Sequence, residues 1–524
     1  MKLFEFDRDC GAFELLETES GAPDGVKGFT DVREKRTADG RFDGSVQKTR
    51  ELFERRFNTD INKDLILRSF NIGGERPALL VYMNGMADDG KINDFILRPL
   101  MDYKGDSFDS EALSENAIRI AEIKLSGSVN AVILDVIDGM TALFIEGRKE
   151  AVVMETRGFE KRSVSPPENE KVVSGPNESF TESYRTNVTL IRRQLHIDDL
   201  VVESRTIGGG NTRIAIVYRE GVTNRTLIEE VKKRVASIGA GGAVSSGTVA
   251  QLIEDSKRSP LPQILSTERP DRACSHLLQG RVVLLVEGSP FALVMPVTFF
   301  TLMNSPEDVY LKRPLGTLLR IIRYFGAGVS VLLPGYFLAL ALYHQGLLST
   351  EVLSTVIASR RMVFEPIGVE MLLLLVIFQM IREAGQRVPG NIGQAIGIIG
   401  GLIMGQAAVA AHLASSVVLI IIAASGLGNF CIPDYRTQLA ASYLRVAVLI
   451  AAWLGGLLGI TAAVLTAVCH VASLKSFGVP FLSPFAPKTS GKRSFVVRGD
   501  IGAFVRPDDY TNTSFDKRIA EEGK

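Results

Sequence analysis

Apolar positions along this chain of 524 residues keep two different rhythms, with the change near Leu318. Upstream, short apolar runs alternate with clusters of turn residues, as in strands and amphipathic helices. Residues 76–83 read as a strand stopping at Asn84-Gly85, and 91–100 as a helix with apolar residues at 92, 95, 96 and 100. Segments 141–146 and 151–156 flank Gly147-Arg148 as a β-hairpin. A second hairpin joins 200–207 to 213–218 through Gly208-Gly209-Gly210-Asn211. A helix follows over 226–238, with Leu227, Ile228, Val231 and Val235 on one face, then a strand pair, 281–287 and 291–297, turning at Gly288-Ser289-Pro290. Between the two sets, 163–180 holds Pro166-Pro167 and Gly175-Pro176 and reads as a joint. The expectation is an α/β soluble N-terminal region of two subdomains, 46–165 and 180–305. Residues 1–45 lack periodicity and read as a poorly ordered lead-in.

Downstream, the apolar runs lengthen towards the 20 or so residues that a spanning helix needs. Candidates are 321–342, 366–381, 392–411, 415–432 and 446–471, the last long enough to tilt. Segment 291–303 is short, carries Pro296, and reads as a strand and an interfacial segment. The fold class expected is therefore an α/β N-terminal region followed by an all-α polytopic transmembrane bundle at 318–473, of four to five helices. Small residues at Gly400-Gly401, Gly405, Gly455-Gly456 and Gly459 suit close helix packing in lipid. Lys312, Arg313, Arg320 and Arg323 precede the first span, and Lys488, Lys492, Arg493 and Arg498 lie in a basic tail, 474–524. The positive-inside rule places both ends in the cytoplasm. Five crossings would separate them, so 392–411, rich in Gly and Gln, is expected to enter without spanning.

Charge and composition narrow the function. Lys and Arg total 59 and Asp and Glu total 59, a balance that does not suggest a polyanion-binding protein, so no nucleic-acid partner is expected. The first residues meet acids without an apolar core, so no secretory signal is read and the N-terminal half is expected to stay cytoplasmic. Cys10, Cys274, Cys431 and Cys469 are scattered, and the histidines have no ligand spacing, so neither disulfide, metal nor other cofactor is expected. Gly239-Ala240-Gly241-Gly242 lacks the Lys-Ser/Thr ending of a phosphate loop, and no nucleophile elbow appears, which argues against an enzyme. Polar groups inside apolar helices are costly and hence candidates for function: Glu370, Gln379, Arg382, Glu383, Gln394 and Gln406. Glu370, in the first turn of its helix, either lines or couples a conducting path or snorkels to the interface. Gln379 and Arg382 share a face, as a gate or, with Glu383, as an interfacial anchor. Asp434 and Arg436 read as a cytoplasmic corner.

Several longer motifs then carry a resemblance. They include Arg157-Gly158-Phe159-Glu160-Lys161-Arg162, Ile191-Arg192-Arg193, Thr267-Glu268-Arg269-Pro270-Asp271-Arg272, Ser305-Pro306-Glu307-Asp308, Gly405-Gln406-Ala407-Ala408-Val409 and Ser476-Phe477-Gly478-Val479-Pro480-Phe481. In this order, over roughly 80–490, the sequence resembles the GerA family, the A subunits of bacterial spore germinant receptors. The resemblance implies a subunit of the spore inner-membrane complex that triggers germination, with its N-terminal region on the core side. It implies a transporter-like B subunit and a lipoprotein C subunit as partners, self-oligomerisation and an ion-conducting path. The alternatives are a receptor-independent paralogue, a non-conducting scaffold and a secondary transporter. The family pattern has acids at the positions of 370, 375 and 379; here only Glu370 stands, with Leu375 and Gln379 in place of the others.

Overall fold

Gly73 and Gly74, both at positive φ, turn the chain between the first two strands, Leu65–Ile72 (β1) and Arg76–Met83 (β2). The strands pair antiparallel from Leu65 opposite Met83 to Ile72 opposite Arg76. The computed structural model describes residues 40–105, 108–158, 166–167, 169–208, 212–239, 245–387, 403, 405–487, 497–498 and 511.

The first unit begins with helix α1 (Val46–Phe57), whose N-cap Ser45 accepts from the Lys48 N–H. After β2 come α2, running through Asp89–Lys91, Ile92–Leu97 and Arg98–Met101 with a π-helical middle, and α3 (Ser110–Asn116). Then follow β3 (Ile123–Ser126), α4 (Val129–Ile137), β4 (Thr141–Ile145) and β5 (Ala151–Met154). The second unit repeats this order: α5 (Tyr184–Gln194), β6 (Leu200–Ile207), β7 (Thr212–Arg219), α6 (Arg225–Ala236), α7 (Ser246–Ile253), β8 (Leu265–Thr267), α8 (Pro270–Leu278), β9 (Val282–Val286) and β10 (Ala292–Met295). The sheets are antiparallel, in the orders β1-β2-β4-β5-β3 and β6-β7-β9-β10-β8. These are one topology used twice, which the residue pattern does not announce.

Helices cover both faces of each sheet. In the first unit Phe53, Val132 and Phe144 fill one core, and Ile92, Ile96 and Leu113 the other. Burial on both sides explains why β4, β5, β9 and β10 read as unbroken apolar runs rather than alternating ones. Arg192 of α5 ties the units together, reaching Asp64 of the first at 3.2 Å.

Two expected boundaries change. Upstream of residue 46, Phe42 is buried and Arg41 bridges to Ser128. Residues 474–481, at the start of the expected tail, pack onto the α/β region. Phe477 and Val479 pack into one core of the second unit, and Leu474 and Phe481 into the other. Lys475–Ser476 (β11) and Val479–Pro480 (β12) form a small hairpin. Phe481 O accepts from the Phe299 N–H at 2.8 Å, and the Arg234 guanidinium lies 4.4 Å from the centre of the Phe477 ring. A sequence reading assigns these residues to a tail because their partners are two hundred positions away.

The helical region comprises α9 (Phe299–Met303), α10 (Arg313–Tyr343), α11 (Thr350–Arg360), α12 (Ile367–Arg387), α13 (Ser416–Phe430) and α14 (Tyr435–Ser473). Two of these helices are long and apolar enough to cross a membrane: α10, with mean hydropathy 1.9, and α14, with 2.3. The expected single tilted span at 446–471 is corrected. At Gly456 the backbone turns to φ 58° and ψ −138°, a region open essentially to glycine. The helix folds back there, so Gly459 lies against the Ala451 carbonyl. Both ends of α14 return to the second α/β unit, Arg436 beside Gly247 and His470 bonded to Ser259 at 3.2 Å.

Candidate functional site

Among the described residues, polar groups in and beside the helical region gather in three places, and each is set by local sequence. The first is the joint with the α/β region. Ser305 caps a short turn, Pro306–Val309, by accepting from the Glu307 N–H, which aims Asp308 at α10. Arg320 and Arg323 stand three residues apart on one helical face. Arg320 Nε donates to Asp308 Oδ2 at 2.9 Å, and Arg323 donates to both carboxylate oxygens at 3.0 Å. Asp308 is 1% exposed. Arg323 also donates to Met303 O, and Arg498 to Asp308 O. The two arginines read as flanking charges of a span are thus consumed in a buried ion pair with Asp308.

The motif 267–272 reinforces that joint. The Glu268 carboxylate accepts from the N–H groups of Asn169 and Glu170 in the linker. Arg272 pairs with Glu170 and donates to Asn304 O at 3.0 Å. Asp271 binds Arg269 and accepts from the Tyr310 hydroxyl. Burial, then the neighbouring Asp271 carboxylate, pushes the Tyr310 phenol up. Linker, second unit and the approach to α10 therefore share one polar network.

The second place is the end of the bundle far from the α/β region. Glu370, in the first turn of α12, is 1% exposed. Its Oε1 accepts from the Ser415 N–H at 2.6 Å and its Oε2 from Arg360 Nε at 3.2 Å. The carboxylate sits at the N-terminus of α13, where the helix dipole favours an anion. It holds α11, α12 and α13 together and does not snorkel.

The third place lies at the near end. With its amide oriented to satisfy both ends, Asn429 Oδ1 accepts from Arg382 Nη1 at 2.8 Å and Ser442 Oγ at 3.2 Å. Arg445 Nη1 donates to Ser425 Oγ at 3.1 Å, and Ser425 donates to Ser330 O at 2.8 Å. Of the residues singled out from sequence, only Arg382 joins this cluster. Gln379 is half-buried, Glu383 and Gln406 are exposed, and Gln394 lies outside the described residues. Glu370 is a dozen residues away from Arg382, at the opposite end of α12. Reading by sequence met Asp308 only as part of a family motif and gave no role to Arg360, Ser415, Asn429 or Arg445. Arg445, a charge inside an apolar helix, carried a usable signal; the others become polar partners only through the fold.

The family described as Bacillus/Clostridium GerA spore germination protein matches residues 51–508. The chain belongs to the GerA family. Among its relatives, spore germination protein A1 of Bacillus subtilis is 35% identical over 81% of this chain and 87% of its own. Spore germination protein KA of the same organism is 33% identical over 82% and 80%. An uncharacterized membrane protein of that organism, YfkQ, is 33% identical over 81% and 83%. The crystal structure of the N-terminal domain of the A subunit of the Bacillus megaterium spore germinant receptor GerK3 is similar at 28% identity and a TM-score of 0.40, covering 50% of this chain and 98% of its own. The GerA match extends over all three polar places, so each belongs to the family region of this chain.

Proposed function

We propose that this protein is the A subunit of a germinant receptor in the spore inner membrane, with its α/β region on the core side. It works with a transporter-like B subunit and a lipoprotein C subunit, and as an oligomer it conducts ions when nutrient is sensed. The observation that carries this reading is the docking of both ends of the helical region onto the second α/β unit. A movement of the α/β region then acts on the bundle through Asp308 at its start and Phe477 at its end.

Connectivity favours a polytopic bundle. α12 and α13 run in the same direction, since Glu370 meets Ser415 at one end and Arg382 meets Asn429 at the other. With α10 and the two arms of α14, five helical segments run along the bundle among the described residues. At about 1.5 Å per residue the arms of α14 reach roughly 31 and 25 Å, close to the thickness of a bilayer core, about 30 Å; α13, about 22 Å, is the shortest.

Glu370 enters this reading as a positioning residue. Its charge is matched by Arg360, so it is not a free acid of a selectivity ring. The test is ion flux through liposomes holding the purified oligomer, alone and with the B and C subunits. Flux that depends on this chain supports conduction. An ion-tight oligomer leaves the scaffold reading, and counterflow of a labelled nutrient would identify a transporter. Gln379→Glu, which restores a second acid, is expected to raise cation over anion passage.

A further inference from the structure

Several buried arginines in this protein meet an acid, namely Arg192, Arg269, Arg272, Arg320 and Arg323, while Arg281 donates to Pro296 O and Thr301 Oγ1. Arg382 and Arg445 are 9% and 2% exposed, and among the described residues neither has a carboxylate partner. They sit one turn apart along α13, at Asn429 and Ser425. Arg382 Nη2 and Arg445 Nε are buried with no acceptor. The neighbouring side chains are already engaged and are neutral. The Ser425 hydroxyl already accepts from Arg445 and donates to Ser330 O, while Asn429 Oδ1 already serves Arg382 and Ser442. Two guanidinium groups buried together without a counter-charge are strongly unfavourable.

We propose that Arg382 and Arg445 hold a small inorganic anion, of the size of chloride, between α12, α13 and the first arm of α14. Ser330 and Ser425 are fully buried and Asn429 nearly so, so the proposed ion is a small one. The free donors are guanidinium N–H groups, whose charge-assisted bonds suit an anion. The bound ion supplies that counter-charge across three helices at the level where α13 turns into α14. It is a structural ion of the bundle, independent of whether the bundle conducts.

The purified full-length protein in detergent is titrated with sodium chloride against sodium gluconate at constant ionic strength. Thermal unfolding and the excess line width of the chloride NMR signal are followed. The expected result is a saturable, chloride-dependent rise in Tm with line broadening, and no such rise with phosphate. In Arg382→Gln and Arg445→Gln the apparent chloride affinity falls by about tenfold or more, the scale of losing one charge-assisted bond. A Tm that follows ionic strength alone overturns the proposal, as does a chloride response that persists in both variants. An equal response to phosphate overturns the small-anion assignment. Should either variant fail to fold, the wild-type titration alone decides.

Discussion

Glu370 shows how one side chain changes meaning between sequence and structure. In sequence it is a lone acid near the start of a leucine-rich helix. In the fold it caps α13 and binds Arg360. Glu370→Gln keeps the shape and removes the charge. The expected outcome is unchanged protein level, a loss of roughly 1.5–3 kcal/mol of stability and slower nutrient-triggered ion release from spores. Ion release at the normal rate with normal stability would return Glu370 to an interfacial role. Asp308 has a larger expected effect. Asp308→Asn leaves Arg320 and Arg323 buried without their acid, at a cost of about 3–5 kcal/mol. Thermal unfolding in detergent is the measurement, and a loss below about 1 kcal/mol, the ordinary value of a surface pair, would show that the joint is not closed as described.

At the scale of elements, the decisive feature is the reversal inside α14. Gly455 and Gly456 look equivalent in sequence, yet a Cβ on Gly455 would meet nothing within 4 Å, and one on Gly456 would meet Tyr343 and His344 at 3.1 and 3.2 Å. Gly456 alone has positive φ. Gly456→Ala is expected to cost about 1–3 kcal/mol and lower the Tm in detergent, while Gly455→Ala leaves it within about 0.5 kcal/mol. Equal effects at both positions would mean that α14 runs straight through. Helix packing elsewhere is equally particular: Gly426 sits against the Phe378 ring, and Gly428 against the Gly326 carbonyl. Such contacts fix which faces of α10, α12 and α13 meet.

On the scale of the whole molecule, the chain leaves the second α/β unit, passes through the helices and comes back to complete that unit's cores. Phe477 is fully buried and Phe485 is 64% exposed. Phe477→Ala is expected to cost about 3–5 kcal/mol and Phe485→Ala little, as read by thermal unfolding. A soluble fragment of 40–303 is expected to gain stability when 474–487 is fused to it, and an unchanged melting temperature would count against the docking. Orientation is tested by labelling single cysteines at exposed positions of the α/β region and in the tail, which are expected to react from the same side. Among the native thiols Cys274 will stay silent, because burial pushes it up, out of the reactive thiolate range.

Much of the framework was legible in the residues themselves. The hairpins at 141–154 and 200–219, the helix at 225–236 and the start of the apolar half follow from periodicity and turn chemistry, which act over a few residues. The family motifs also lie in the chain. What sequence periodicity left out were β1, β3 and β8, which are partly exposed or too short to show a rhythm, and the repeat of one topology in two units. The tertiary structure alone decided that Phe477 belongs to a core two hundred residues upstream, that Gly456 rather than Gly455 reverses a helix, and that Arg382 and Arg445 share one buried space. Local pattern records which side chains avoid water. Which of them meet, and which charges are left without a partner, is fixed only when distant segments compete for the same volume.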